Sequence, residues 1–187
     1  DEIAPRYATD GFVRQPEGTG TLNACPHGHF PSGDGKFLAI ACTTDKMFER
    51  LTIAMERKDL LEKFGEQTTR LKNRVEVLAE VEKWTRSLPR ETLIDVCNNN
   101  GVPAGSINSI ADIFEDEHFK ARETIKHVSV PGVGNVAVPN VFPTLSETPG
   151  TINNLGPGLG DHNEDLYREE LGLSDSELST LKESGVI

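Results

Sequence analysis

The sequence feature that most constrains the fold is the stretch from 139 to 160. It is rich in proline, glycine and threonine and carries little helical or strand periodicity. A loop of this length without secondary structure is unusual inside one compact domain. The stretch is therefore predicted to be a connector between two packed regions. Residues 1–23 are similarly poor in periodic pattern and are predicted to be a linker or an extended arm, which needs a surface supplied by missing sequence or another subunit.

Between the arm and the connector, residues 24–138 carry the patterns of a small α+β domain. Asp34 and Gly35 separate two runs that read as strands, and this dipeptide favours a tight β-hairpin. Helical spacing of apolar residues predicts a helix capped by Thr44 and a longer helix that begins at Thr68 or Thr69. The apolar stripe of the longer helix is predicted to contain Leu71, Val75, Leu78 and Val81.

The last part of this domain and the tail follow the same kind of signal. Residues 102–105 are predicted to be a loop, and residues 125–138 a second hairpin. Two short helices are predicted within residues 161–187, which form a helical tail. Asp161 is expected to cap the first of them, and Ser174 opens a capping box for the second.

Composition excludes several classes of function. The net charge is −11, with 30 acidic against 19 basic residues, so the basic footprint of nucleic-acid binding is missing. No apolar run is long enough to span a membrane, and the first residues lack the regions of a signal peptide. The three cysteines form no CxxC pair and are typical of a reduced, cytoplasmic protein. The chain begins with Asp1 instead of Met, so it is expected to be a processed or truncated piece of a longer protein.

Five segments, in this order, resemble the second half of class III (CaiB/BaiF-type) coenzyme A transferases. They are residues 33–41, 100–108, 139–146, 156–163, and 171–174 with 185–187. The resemblance implies that a large doubly wound α/β domain precedes this chain. The chain itself would be the small α+β domain of such a transferase, with an extended N-terminal arm, a connector and a C-terminal helical tail that returns to the large domain. Two such chains would interlock as a homodimer.

The resemblance also implies an activity. Family members move CoA between carboxylic acids through an aspartate that attacks the donor thioester, which is covalent catalysis. Related members racemise 2-methylacyl-CoA esters by proton transfer. The principal acids of both branches would lie upstream, so no catalytic residue is assigned here and this piece alone is expected to be inactive. The expected partners are acyl-CoA and carboxylic acid substrates, with the CoA thioester as substrate and no tightly bound cofactor. A non-catalytic dimerisation or assembly module is the alternative from another class.

Some family members place a mobile glycine-rich loop of the small domain over the active site. The corresponding region here lies between residues 18 and 35 and has no run of consecutive glycines. The candidates for a substrate-facing loop are Gly18, Gly20, His27, Gly28, His29 and Asp34. For Asp34, a purely structural role in the hairpin turn is the favoured interpretation. His27 and His29 alternate and could face one site, but no third ligand follows at a fixed spacing, so no metal is predicted.

Overall fold

The computed structural model describes residues 2–16 and 18–187. It divides into two compact units, Asp1–Ser109 and Ile110–Ile187, called here the first and the second unit. This division falls inside the range 24–138 that the sequence predicts as one domain. The physical reason is that, among the described residues, the second hairpin forms a two-stranded sheet of its own. The domain limits drawn from the sequence stay a prediction.

The first unit is built on a three-stranded antiparallel sheet with the order β1-β2-β3. The strands are β1 (His27–Pro31), β2 (Phe37–Ala41) and β3 (Ala104–Ile107). The hairpin predicted around Asp34 and Gly35 is confirmed, with His27 opposite Ala41 and Pro31 opposite Phe37. The prediction of a loop over residues 102–105 is wrong in part, because β3 begins at Ala104 and pairs with the second edge of β2. A strand of four residues that contains a glycine is too short to show an alternating pattern.

Helices of the first unit accompany this sheet. They are α1 (Ile3–Asp10), α2 (Asp45–Ala54), α3 (Lys58–Phe64), α4 (Gln67–Lys72), α5 (Arg74–Thr85) and α6 (Arg90–Asn99). The Thr44 side chain caps α2 by accepting a hydrogen bond from the Met47 amide, as predicted. Helix α1 lies in the range predicted as an extended arm, and none of its residues is buried. The apolar core lies between the sheet and helices α2 to α6, and its largest members include Phe30, Leu38, Ile40, Phe48, Leu51, Phe64 and Leu93.

The long helix predicted after Thr68 is two helices, α4 and α5, separated at Asn73. Asn73 leaves the helical conformation, and its side-chain amide donates to the Thr69 carbonyl oxygen at 2.9 Å. The break changes the phase of the apolar stripe. Val75, predicted to face the core, is 84% exposed, whereas Val77 is buried.

The second unit has shorter elements and a two-stranded sheet. They are α7 (Ile110–Glu115), α8 (Glu117–Ala121), β4 (Ile125–Val130), β5 (Gly134–Pro139), a π-helix (Glu164–Glu170) and α9 (Asp175–Glu183). The predicted hairpin and the capping box at Ser174 are confirmed. The expected cap by Asp161 is wrong: its carboxylate accepts from the Gly158 amide within the preceding turn, and the π-helix begins at Glu164.

Candidate functional site

A cavity of about 390 Å³ lies between β1 and one face of α5 in the first unit. It is lined by Thr19, Gly20, His27, Gly28, His29, Phe30, Arg74, Leu78 and Glu82. The last three residues recur every four positions along α5, which places them on one face of the helix. Four of the six residues predicted to face a substrate are therefore brought together here: Gly20, His27, Gly28 and His29.

The cavity wall at β1 depends on close backbone packing. The Thr19 hydroxyl oxygen accepts a hydrogen bond from the His29 amide at 3.0 Å. Gly28 has φ +154°, and a Cβ at this position would approach the Thr19 hydroxyl oxygen to 3.1 Å. Both the backbone conformation and the short approach favour glycine at this position. The absence of a side chain at Gly28 therefore allows the loop around Thr19 to pack closely against β1.

The loop that precedes β1 is held by side chains from α4 and α5. Gln67 donates to the Asn23 carbonyl oxygen, Arg70 to that of Cys25 at 2.7 Å, and Arg74 to that of Leu22 at 2.9 Å. Their contacts to carbonyl oxygens do not depend on which side chains the loop carries. The three long polar side chains therefore position the loop beside the cavity through its backbone.

Arg70 is the buried member of this group, with 0% of its side chain exposed. Its guanidinium also donates to the carbonyl oxygens of Phe64, at 3.0 Å, and Gly65, at 2.6 Å, and to the Asp45 carboxylate at 2.8 Å. A buried guanidinium is tolerated when its donors are satisfied in this way. Sequence reasoning missed this residue. Arg70 precedes Leu71 in a predicted helix, and only the break at Asn73 reveals that it faces the interior.

The polar groups of the cavity differ in their surroundings. The Nδ1 atom of His27 is buried and has no hydrogen-bond partner within the described part of the chain, whereas His29 is exposed. The Glu82 carboxylate accepts a hydrogen bond from Arg86 Nε at 2.8 Å, which partly compensates its charge. Arg74 adds a positive charge to the lining. The cavity is suited to a polar ligand that accepts hydrogen bonds.

Two of the predicted loop residues do not line the cavity, namely Gly18 and Asp34. Gly18 has φ +65° and forms part of the turn before Thr19. The Asp34 carboxylate accepts hydrogen bonds from the Ser32 hydroxyl and from the Arg90 amide at 3.3 Å. The hydrogen bond from Ser32 is the main cause that lowers the pKa of Asp34. These contacts tie the hairpin turn to the first residue of α6, which accounts for Asp34 structurally.

The cysteines are not suited to nucleophilic catalysis. All three are buried free thiols. Burial raises the pKa of Cys42 to about 12 and that of Cys97 to about 11, and burial also raises the pKa of Cys25. A thiol in such surroundings is protonated at neutral pH and is unreactive.

Within residues 2–16 and 18–187, no three side chains of His, Cys, Asp or Glu come together as a metal site would require. No helix there has the length and apolar character needed to cross a membrane.

Comparison with known proteins places the chain in a family. The model of CoA-transferase family III matches residues 1–163. The chain is 49% identical, over its whole length, to the alpha subunit of succinyl-CoA–L-malate CoA-transferase from Chloroflexus aurantiacus, and covers 44% of that protein. It is 41% identical to the corresponding beta subunit, again over its whole length, and covers 47% of it.

A solved structure agrees with the sequence comparison. The crystal structure of a CaiB/BaiF family protein from Brucella suis superimposes with a TM-score of 0.72 at 27% identity, over 90% of this chain and 43% of that one. The chain thus spans less than half the length of these relatives. The match over most of its residues is sufficient to assign it: the chain belongs to CoA-transferase family III.

Proposed function

We propose that this chain is part of a CoA-transferase that moves CoA from succinyl-CoA to a hydroxylated dicarboxylic acid such as L-malate. The observation that carries the proposal is the 49% identity to a succinyl-CoA–L-malate CoA-transferase subunit across every residue of the chain.

The proposed reaction uses an aspartate that is not among these residues. Its carboxylate attacks the succinyl-CoA carbonyl carbon, and CoA leaves as the thiolate while a mixed anhydride forms. The thiolate then attacks the aspartyl carbonyl carbon of the anhydride, which releases succinate and leaves an aspartyl-CoA thioester. The malate carboxylate attacks this thioester and again expels the thiolate. The thiolate finally attacks the malyl carbonyl carbon, which gives malyl-CoA and regenerates the aspartate.

The part of this chain in the reaction is to enclose the substrate. The cavity beside β1 is lined by the backbone of two glycines, two imidazoles and a guanidinium, which can contact a polar acyl group. None of the lining side chains is a carboxylate free of an ion pair that could act as the nucleophile, since Glu82 is bonded to Arg86. We therefore place the nucleophile outside these residues, which agrees with the share of its relatives that the chain covers. A second copy or a related subunit would complete the assembly.

The test is a CoA-transfer assay on two preparations, the complete product of the gene that encodes this chain and the 187-residue chain alone. With succinyl-CoA and L-malate, we expect the complete product to form malyl-CoA and succinate, detected by mass spectrometry. The chain alone should form neither. A 2-methylacyl-CoA ester, offered in deuterated water, serves as the control for proton exchange and racemisation.

Two results would overturn the proposal. Exchange of deuterium into the 2-methylacyl-CoA ester, without any transfer of CoA to a carboxylic acid, would make the protein a racemase. Turnover by the 187-residue chain alone would show that the nucleophile lies among its own residues.

A further inference from the structure

The lining of the cavity is richer in hydrogen-bond donors and positive charge than the chain as a whole. The protein carries a net charge of −11, yet the polar side chains of the lining are one arginine, two histidines, one threonine and one glutamate. The glutamate, Glu82, forms an ion pair with Arg86, with 2.6 Å between Arg86 Nη2 and Glu82 Oε1. The carboxylate that lines the cavity is therefore already paired with a cation when a negative ligand binds.

Arg74 is held in place before any ligand arrives. Its Nη2 donates to the Leu22 carbonyl oxygen at 2.9 Å, and the side chain is half-buried against the loop. A guanidinium is always charged and its planar fork of donors matches a carboxylate. Because the anchor on Leu22 restricts the rotamers of the side chain, less entropy is lost when an anion binds it.

His27 complements this charge with a donor of defined position. Its Nδ1 atom is buried and unpartnered among the described residues. Buried N–H groups without an acceptor are rare because they are costly, so the neutral ring is expected to carry its proton on Nε2. The residue lines the cavity, and Nε2 is then the nitrogen that donates to a ligand.

The cavity also has an apolar wall and a size that suits a small molecule. Phe30 and Leu78 line it beside the polar groups and offer contact to methylene carbons. Its volume of about 390 Å³ lies within the range of small-molecule sites, roughly 300–1,000 Å³. A chain of a few carbons that ends in a carboxylate fits this combination of groups.

We propose that Arg74 and His27 form a subsite for the non-reacting carboxylate of a dicarboxylic substrate. The inference rests on the proposed function, because it takes the cavity as facing the substrate. The carboxylate accepts from Arg74 and from His27 Nε2, while Phe30 and Leu78 contact the carbons between the two carboxylates. The reacting carboxylate then points out of the cavity. These two residues select dicarboxylic over monocarboxylic acids of equal length.

The first experiment measures binding directly on the 187-residue chain, without any reaction. Succinate and succinamide, which differ in having carboxylates or neutral amides at the ends of the same carbon chain, are titrated while the imidazole signals of the histidines are followed by NMR. We expect succinate to shift the His27 signals at concentrations at least about tenfold below those needed for succinamide, since the charge-assisted hydrogen bonds are lost when the carboxylate is replaced by an amide.

Variants then assign the contacts. Arg74→Gln should weaken succinate binding about tenfold or more and leave succinamide binding unchanged, and His27→Phe should weaken succinate binding severalfold. Arg57→Gln, which removes a guanidinium that binds Asp59 and Glu80 instead, is the matched control and should change nothing. Because Arg74 also holds Leu22, Arg74→Lys keeps a cation at this position, and the amide spectrum of each variant reports whether the fold is intact.

Equal binding of succinate and succinamide, or unchanged succinate binding in a folded Arg74→Gln or His27→Phe variant, would overturn the subsite. So would a failure of succinate to shift the imidazole signals at any soluble concentration. The proposed function is judged separately by the transfer assay on the complete gene product. If that product transfers CoA and its Arg74→Gln variant keeps the same KM for L-malate, the subsite fails alone. If succinate binds as expected and no transfer occurs, only the proposed function fails.

Discussion

The two units of the chain bury very different amounts of apolar surface. In the first unit, a three-stranded sheet is covered by helices, and side chains such as Leu38 and Phe48 are almost fully buried. In the second unit, the two strands form a two-stranded sheet with each other. Leu178 is the one buried apolar side chain of that unit among the residues the structure describes.

The exposed apolar side chains show the same contrast between the two units. The second unit exposes large apolar groups along its whole length: Ile110, Phe114, Val133, Val141, Phe142, Leu145, Leu155, Leu159, Leu166, Leu171 and Val186. Its order therefore depends mainly on local interactions, such as the hairpin ladder and the capping box at Ser174. Local sequence signals can therefore specify helices and strands without specifying a core.

The largest expected effect compares one phenylalanine in each unit. Phe48 is 1% exposed and Phe142 is 88% exposed. We expect Phe48→Ala to lower the free energy of unfolding of the first unit by about 3–5 kcal/mol, because it removes buried surface and leaves a cavity. Phe142→Ala should change stability by less than about 0.5 kcal/mol, as for an exposed side chain.

Urea unfolding measures both changes. The single tryptophan, Trp84, lies in α5 and its fluorescence reports the first unit, while hydrogen exchange of the β4 and β5 amides reports the second. Equal losses of stability in the two variants would contradict the contrast between the units, since they would mean that Phe142 is covered in solution.

The next effect compares two arginines. Arg70 has no exposed side-chain surface, and its donors reach three carbonyl oxygens and Asp45. Arg168 is 49% exposed and pairs with Glu164 and Asp175. We expect Arg70→Met to destabilise the first unit by about 3 kcal/mol, because it leaves buried carbonyl groups without donors. Arg168→Met should cost less than about 1 kcal/mol, as for an exposed ion pair.

Salt separates the two cases further. The effect of Arg70→Met, followed by Trp84 fluorescence, should be the same in low and high salt, because the lost contacts are hydrogen bonds shielded from the solvent. The smaller effect of Arg168→Met should fade as salt screens the exposed charges. A loss at Arg70 that disappeared in high salt would contradict its assignment as a buried hydrogen-bonding centre.

Most of the elements could be predicted from the sequence, because turns and caps are local. Asp34-Gly35 predicts the first hairpin, and Thr44 and Ser174 predict helix starts, all of which the structure confirms. The errors occur where a non-local partner decides. Strand β3 exists only because β2 offers it an open edge, and the exposed position of Val75 follows from the break at Asn73.

The candidate site was predictable only in part, for a related reason. His27, Gly28 and His29 are adjacent in sequence, so their placement on one strand follows from the hairpin. Arg74 is far from them in the chain and reaches the cavity only because α5 packs against β1. Nothing in one sequence pairs an arginine on a helix with a loop that precedes a strand, so the charge of the cavity comes from the structure.

The caps offer a smaller test, in which the two units should behave alike. The Thr44 hydroxyl accepts from the Met47 amide at 3.3 Å, and the Ser174 hydroxyl accepts from the Glu177 amide at 3.4 Å. We expect Thr44→Ala and Ser174→Ala each to cost about 1 kcal/mol in their own unit, because a cap satisfies the first amides of one helix. Trp84 fluorescence follows the first variant and hydrogen exchange of α9 the second. An effect of Ser174→Ala on the Trp84 transition would show that the units unfold together.

The smallest expected effect concerns pH and two exposed carboxylates. Hydrogen bonds from Ser32 and Ser174 are the main causes that lower the pKa of Asp34 and of Glu177, respectively. A carboxyl group whose pKa is lowered by folding stabilises the fold at pH values above its unfolded pKa, and this contribution is lost as pH falls through the folded pKa. Both contributions are therefore expected in full at neutral pH and should disappear below about pH 4, the ordinary range of such groups.

The measurement is urea unfolding of wild type, Asp34→Asn and Glu177→Gln across the acidic range, with Trp84 fluorescence for the first unit and hydrogen exchange of α9 for the second. At neutral pH each variant should be slightly less stable than wild type, and the difference should shrink to zero as the wild-type carboxyl group becomes protonated. Because the two carboxylates are bonded in the same way, through a serine hydroxyl and nearby amides, the shrinkage should be alike in both units. The stability changes of the two carboxylate variants should depend on pH in the same way, while those of Phe48→Ala and Phe142→Ala should differ strongly. Together these results would show that the units differ in how much apolar surface they bury. If the stability difference between wild type and Asp34→Asn grew as pH fell, the sign of the linkage would be reversed. That result would mean that the ionised carboxylate of Asp34 is not the form that accepts the hydrogen bonds.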